Sequence, residues 1–161
     1  MNKLKSFWIY LFPLLLIPLT TFCQSTPEVK SLTAQAEKHI LEGEINARGK
    51  AVGAHHITAV NSGNARIIQV LKKPNKQKVY EVQLEIYDFK KDQWVRKENK
   101  SSFFPDDWSR EQVKEEIINA FNSKSKIVKG NKWEAISPSG IKIAGYINER
   151  GEITTAYPLY Y

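Results

Sequence analysis

The sequence predicts an α+β fold in which two helices pack on antiparallel β-sheet. Two segments place apolar residues at helical spacing, and the segments after each of them show the alternation and turn residues of strands. The resulting order of helix, strands, helix, strands is typical of α+β proteins. A chain of 161 residues, 42% of them hydrophobic, has room for one compact domain. We assign that domain to residues 27–161.

Two helices are predicted from their apolar spacing and their ends. The first covers residues 27–41 and is ended by Gly43. The second begins at Ser109, which forms a capping box with Gln112, and continues through Phe121.

Strands are predicted where apolar and polar residues alternate or β-branched residues cluster between turns. A connecting loop over residues 43–53 contains several glycines and leads from the first helix into the sheet. The predicted strands are residues 65–71, 78–89, 94–97, 132–136, 141–148 and 152–157.

Residues 1–23 have the features of a secretory signal peptide. Lys3 and Lys5 precede an apolar run that prolines interrupt, and small residues flank Phe22 at a cleavage site. The run is too short and too broken for a stable membrane span. We therefore expect a secreted or periplasmic protein. Lipidation of Cys23 is the alternative, although a lipoprotein signal normally has Gly, Ala or Ser where Phe22 stands.

The composition of the mature chain limits its chemistry. Cys23 is the only cysteine, so the domain after it has no disulfide, thiolate metal site or cysteine nucleophile. Without the two signal-segment lysines, 22 basic and 17 acidic residues leave a net charge of +5. This modest excess attracts phosphate but does not establish that phosphate is bound.

All three histidines lie in one short stretch, with His39 near the end of the first helix and His55 and His56 after the loop. We expect the loop to return His55 towards the helix end. An unperturbed pKa of about 6.5 lets histidine both donate and accept a proton near neutral pH. Cleavage of RNA by its own 2′-hydroxyl needs a base, an acid and a cation, which two histidines and a lysine provide.

Four motifs follow one another in the order and spacing of a known family. They are His39-x-x-x-Gly43-Glu44, Gly53-x-His55, Lys100-Ser101-Ser102-Phe103-Phe104-Pro105-x-x-Trp108 and Gly151-x-Ile153-Thr154-Thr155-Ala156-Tyr157-Pro158. Together they resemble the bacterial branch of the EndoU endoribonuclease family, known largely as toxin domains, over about residues 36–158. The resemblance implies an α+β fold and cleavage of single-stranded RNA, often near uridine, to a 2′,3′-cyclic phosphate.

The resemblance also implies which residues carry the reaction. His39 and His55 would be the general acid and base, in either order, and Lys100 the cationic group. Lys97 competes with Lys100. If this stretch stays extended, their odd spacing places the two lysines on opposite faces, so only one can enter the site. No cofactor or metal would be required, although some animal members of the family respond to manganese.

Four further residues are assigned to the substrate-binding part of the site, three of them by the same resemblance. Thr155 and Tyr157 match a terminal pair that shapes the nucleotide pocket. Glu44 would support a histidine, with an ion pair to Lys50 as the alternative. His56, adjacent to His55, is grouped with these residues. RNA would be the substrate and an immunity protein a further partner.

A second class of function is compatible with the composition. A secreted α+β module could bind another protein, or inhibit an enzyme, without catalysis. The histidines would then be structural, and their substitution would change no RNA cleavage because there would be none.

Overall fold

The structure, a computed structural model, describes residues 28–161, so the predicted signal peptide lies outside it. These residues form an α+β fold, as predicted. The helices are α1 (Ala34–Leu41), α2 (Thr58–Asn61) and α3 (Arg110–Asn122). None of the helices in this range is long and apolar enough to cross a membrane. The strands are β1 (Glu44–Ile45), β2 (Ala51–Val52), β3 (Ala65–Lys72), β4 (Tyr80–Asp88), β5 (Gln93–Arg96), β6 (Ser101–Phe103), β7 (Ile127–Lys129), β8 (Lys132–Ile136), β9 (Lys142–Ile147) and β10 (Ile153–Pro158).

The strands form two antiparallel sheets and a small hairpin. The first sheet has the order β3-β4-β5, with β6 also paired to β4. The second sheet has the order β10-β9-β8-β7, and β1 pairs with β2. Because side chains alternate between the two faces of a strand, each sheet has one face that can be buried.

Each sheet has its own cluster of buried side chains. The second sheet packs Trp133 and Ile143 against Ile117 of α3, and Ile40 of α1 belongs to the same cluster. The first sheet buries Leu84, Ile86 and Phe103 with alanines from the segment between α1 and α2. α1 lies against β10 and thus contacts the second sheet, while the chain that follows it enters the first.

The first helix begins later than predicted. It starts at Ala34 because Thr33 caps it, with the Thr33 hydroxyl accepting a hydrogen bond from Ala36 N at 3.1 Å. The preceding segment is held in a non-helical conformation. The backbone N–H of Val29 donates to the side chain of Asn122 (3.0 Å), whose amide donates back to the Val29 carbonyl (2.7 Å). The apolar residues of this segment, Val29 and Leu32, pack against the core cluster without forming a helix.

The second helix and the longer strands agree with their patterns. Ser109 caps α3 by accepting a hydrogen bond from Gln112 N at 3.1 Å, as the capping box predicts. The elements that the pattern did not predict are α2, β6, β7 and the β1–β2 hairpin, which lies within the predicted loop. Each of these helices and strands has four residues or fewer, too few to show a period.

Backbone contacts bring the segment carrying His55 to the end of α1, as the sequence predicts. Ala54 N donates to the carbonyl of His39 (2.9 Å), and His55 N donates to that of Ile40 (2.7 Å). Gly53 makes this approach possible. Its φ is +76°, and a Cβ there would overlap the His39 carbonyl oxygen.

We predict that Gly53→Ala destabilises the protein far more than Gly140→Ala. Both glycines have a positive φ, but nothing lies within 4 Å of a Cβ added at Gly140. Gly140→Ala should cost about 1 kcal/mol for its backbone conformation. Gly53→Ala adds steric overlap with the helix end and should cost about 3 kcal/mol or more. Urea unfolding of both variants measures the difference, and equal losses would contradict the packing argument.

Candidate active site

His39 occupies the last turn of α1, where a carboxylate fixes its ring. Nδ1 of His39 lies 3.1 Å from Oε1 of Glu44, and Glu44 also accepts two hydrogen bonds from Gln35 (2.8 and 3.0 Å). Lys50 does not pair with Glu44, because it bonds Glu98 at 2.8 Å. Glu44 thus holds Nδ1 of the partly exposed His39 ring and leaves Nε2 free for proton transfer.

His55 is buried, and a backbone carbonyl sets its tautomer. Its Nδ1 donates to the carbonyl of Ser102 at 3.0 Å, so in the neutral ring the lone pair lies on Nε2. The ring stacks on Tyr157, with ring centroids 5.4 Å apart. Burial, and then the positive charge of Lys97, lower the pKa of His55 well below 6.5. His55 is therefore neutral near pH 7, in the form that accepts a proton.

Lys97 is a buried cation held by neutral groups. Its ammonium donates to the carbonyl of Gly53 (2.7 Å) and to the hydroxyl of Ser101. The residue is only 8% exposed, and no carboxylate pairs with it within residues 28–161. Burial lowers its pKa to about 8, so it is mostly charged at pH 7. The Lys97 ammonium binds the carbonyl of Gly53, two residues before His55, and Ala54 N donates to the carbonyl of His39, so these three residues lie in one cluster.

Lys100, the lysine that the sequence analysis favours, lies outside this cluster. Its ammonium bonds the carboxylate of Glu81 at 2.8 Å, and Lys72 pairs with the same carboxylate at 3.2 Å. The chain bends at residues 98 and 99, so Lys97 and Lys100 are not on one extended strand. The structure therefore brings Lys97, and not Lys100, together with the histidines. The sequence analysis identified Lys97 only as the alternative to Lys100 for the cationic group.

His56 is buried in the protein at the start of α2. It is 2% exposed, and Nδ1 lies 2.7 Å from the hydroxyl of Thr58. Burial lowers the pKa of His56, while Asp106 and the nearby backbone of Trp108 and Pro105 act in the opposite direction. The ring thus lies against residues 105–108, inside the motif that begins at Lys100. This placement suits a residue that supports the loop better than one that contacts substrate.

Thr155 and Tyr157 lie on the same face of β10. The Tyr157 ring covers His55, and burial raises the pKa of its hydroxyl. The hydroxyl of Thr155 is buried and finds no hydrogen-bond partner in the described part of the chain. A buried hydroxyl without a partner is unfavourable in the free protein and available to a ligand. Tyr157 therefore borders the cluster and Thr155 lies beside it on β10, while their role in a nucleotide pocket stays a prediction.

Comparison with known proteins assigns this α+β fold to a nuclease family. The family model for bacterial EndoU nuclease matches residues 33–160. A curated relative from Bacillus cereus, named Toxin, is 36% identical over 121 residues, which are 75% of this chain and 22% of the relative. The chain thus spans about a fifth of that relative. No solved structure shows a significant match. The chain belongs to the bacterial EndoU nuclease family.

We predict that Lys97→Met raises the pKa of His55, because removal of a nearby positive charge favours the imidazolium. The wild-type pKa should lie well below 6.5, and the variant should shift it upward. An NMR titration of the histidine ring protons measures both values, with His39→Gln and His56→Gln used to assign the resonances. Lys100→Met is the matched control and should leave the His55 titration unchanged, because its ammonium is bound to Glu81. An equal shift in both variants would contradict the cluster geometry.

Proposed function

We propose that this protein is an endoribonuclease that cleaves single-stranded RNA through the ribose 2′-hydroxyl. The observation that carries the proposal is the buried ammonium of Lys97, surrounded by neutral acceptors and adjacent to neutral His55. A buried cation without a counter-ion is costly unless an anion completes it. A phosphodiester is an anion of that kind, and His55 is then placed beside it as a base.

Each step of the reaction has a group to perform it. His55 Nε2 removes the proton of the 2′-hydroxyl, whose oxygen forms a bond to phosphorus. Lys97 stabilises the charge on the non-bridging phosphate oxygens. The bond from phosphorus to the 5′-oxygen breaks, and His39, held by Glu44, donates the proton that this oxygen needs. The products are a 2′,3′-cyclic phosphate and a free 5′-hydroxyl, and water takes no part in this step.

The proposed reaction requires no metal or other cofactor, since imidazole and ammonium groups supply the proton transfers and the positive charge. Manganese is therefore tested as an addition rather than as a requirement. Thr155 and Tyr157 are proposed to hold the nucleotide base next to His55, and uridine is the first base to test.

The biological proposal is that of an exported toxin. The matched relative from Bacillus cereus is named Toxin, and the apolar, lysine-led segment at residues 1–23 supports export. Its substrate would be RNA, and an immunity protein would protect the producing cell. These proposals rest on the relative and the sequence, and are independent of the assignment of acid and base.

We predict that His39→Ala and His55→Ala abolish cleavage of a uridine-containing RNA oligonucleotide, and that Lys97→Met lowers kcat/KM about 100- to 10,000-fold. The assay contains EDTA, and mass spectrometry identifies the ends of the fragments. Wild type should yield cyclic phosphates. Lys100→Met is the matched control and should retain nearly all activity, because Lys100 pairs with Glu81 outside the cluster of Lys97 and the histidines.

Two outcomes would overturn parts of this assignment. Loss of activity in Lys100→Met with retention in Lys97→Met would restore Lys100 as the catalytic cation. A folded wild-type protein that cleaves no RNA, with EDTA or with added manganese, would favour the non-catalytic binding module.

We predict that Thr155→Val lowers activity without lowering stability. The Thr155 hydroxyl has no partner to lose among the described residues, so its removal should be neutral or slightly stabilising in the free protein. If the hydroxyl contacts the nucleotide, kcat/KM for cleavage after uridine should fall about tenfold. Thermal unfolding and steady-state kinetics measure the two effects. Unchanged kinetics would remove Thr155 from the nucleotide pocket.

A further inference from the structure

One face of the second sheet lies on the side opposite the cluster around Trp133 and begins at the candidate active site. Thr155 lies opposite Tyr146, which in turn lies opposite Lys132, so one cross-strand row runs from β10 to β8. Residues paired in this way point to the same side of a sheet. We call this side the outer face, and its relevant residues are Tyr157, Thr155, Tyr146, Lys142, Glu134 and Lys132.

The register separates the outer face from the core. Gly145 and Trp133 alternate with the residues of the outer face and are buried against the other side. Strands in a sheet lie about 4.8 Å apart, so Lys132 is roughly 10 Å from Thr155 across two strand spacings. The outer face is therefore a direct continuation of the nucleotide pocket, and not a separate patch.

Two tyrosines lead from the active site onto this face. The Tyr157 ring stacks on His55, and the adjacent Tyr146 contributes, after burial, to the raised pKa of the Tyr157 hydroxyl. Tyr146 is 39% exposed, so part of its side chain is open to solvent beside Tyr157. Aromatic rings on open sheet surfaces are the common platforms for unpaired bases of single-stranded nucleic acid.

Lysines border the tyrosines and make the face positive. Lys132 and Lys142 both pair with Glu134, at 2.8 and 3.0 Å, and their hydrogen bonds lower the pKa of Glu134 to about 2. Lys129 lies opposite Lys132 on β7 and is exposed. Two lysines thus share one carboxylate, and a third lysine is exposed beside them. Exposed ion pairs of this kind contribute little stability, so the lysines remain available to phosphates.

We propose that the outer face is an extended RNA-binding subsite, in which Tyr146 stacks on a base next to the cleaved nucleotide and Lys132 contacts the phosphate backbone. The proposal rests on the proposed endoribonuclease function. It adds a binding position for the nucleotides next to the cleaved one. Single-stranded RNA fits the surface because stacking rings and cations alternate there, and because the surface is continuous with the candidate catalytic cluster. The substrate class that follows is an unpaired oligonucleotide rather than a dinucleotide.

The test compares two substrates and four variants. The substrates are a uridine-containing dinucleotide and an oligonucleotide of about eight nucleotides, a length within the usual range of a single-strand binding surface. Tyr146→Ala should raise KM for the oligonucleotide about tenfold, the effect of one stacked base, with kcat unchanged. Tyr146→Phe should retain most of the affinity because the ring remains. Both variants should cleave the dinucleotide as wild type does.

Lys132→Gln tests the charged half of the surface. It should weaken oligonucleotide binding and reduce the salt dependence of that binding by about one phosphate contact. Lys124→Gln is the matched control, since Lys124 is exposed on the segment that leaves α3, and α3 packs on the opposite face of the sheet. It should leave affinity and salt dependence close to those of wild type.

Binding is also measured without cleavage, by fluorescence anisotropy with an oligonucleotide that has deoxyuridine in place of uridine. Weaker binding in Tyr146→Ala supports the subsite even if no RNA is cleaved, so failure of the catalytic proposal is seen separately. Unchanged oligonucleotide affinity in Tyr146→Ala and Lys132→Gln would overturn the subsite. An equal rise in KM for the dinucleotide and the oligonucleotide in Tyr146→Ala would also overturn it. The same holds if a protein inhibitor binds this face without changing the affinity for RNA.

Discussion

The structure depends on the contact between the end of α1 and the segment of residues 53–55. Two hydrogen bonds, from Ala54 N to His39 and from His55 N to Ile40, join a helix that packs on the second sheet to a segment that packs with the first. Gly53 permits this contact because a side chain would overlap the helix carbonyl. The same contact brings His55 close to His39 and aims the Gly53 carbonyl at Lys97. Fold and site therefore share one constraint.

The electrostatics of the site follow from that packing. Burial removes water from both His55 and Lys97. Because this disfavours the charged form of each side chain, it lowers both pKa values. His55 is neutral at pH 7 because its pKa lies well below 6.5, while Lys97, with a pKa of about 8, keeps its charge at pH 7. Lys100, by contrast, is exposed and pairs with Glu81 away from the histidines. The two lysines therefore differ in position, and only Lys97 can hold a phosphate beside His55.

Local patterns predicted the fold class, α3 and the longer strands, because each of these has enough residues to show a period. They misplaced the start of α1, because Val29 is apolar for a tertiary reason, namely its packing beside Asn122. The placement of His39 beside Glu44 was also within reach of the sequence. The choice between Lys97 and Lys100 was not, because the bend at residues 98 and 99 leaves no periodic signal. Side-chain partners across a sheet depend on register, which a single sequence does not reveal.

The groups left unsatisfied in the free protein indicate how the site is prepared for its ligand. The Thr155 hydroxyl is buried without a partner among the described residues, and Lys97 is buried without an anion. Both features cost stability, and Thr155 lies on β10 two residues before Tyr157, which stacks on His55. Three other buried polar atoms among the described residues also lack a partner, namely His56 Nε2, Trp133 Nε1 and Ser137 Oγ, so position next to the catalytic cluster is what distinguishes Thr155. A ligand with a negative charge and a hydrogen-bonding base would satisfy both at once, and a nucleotide within an RNA strand has both.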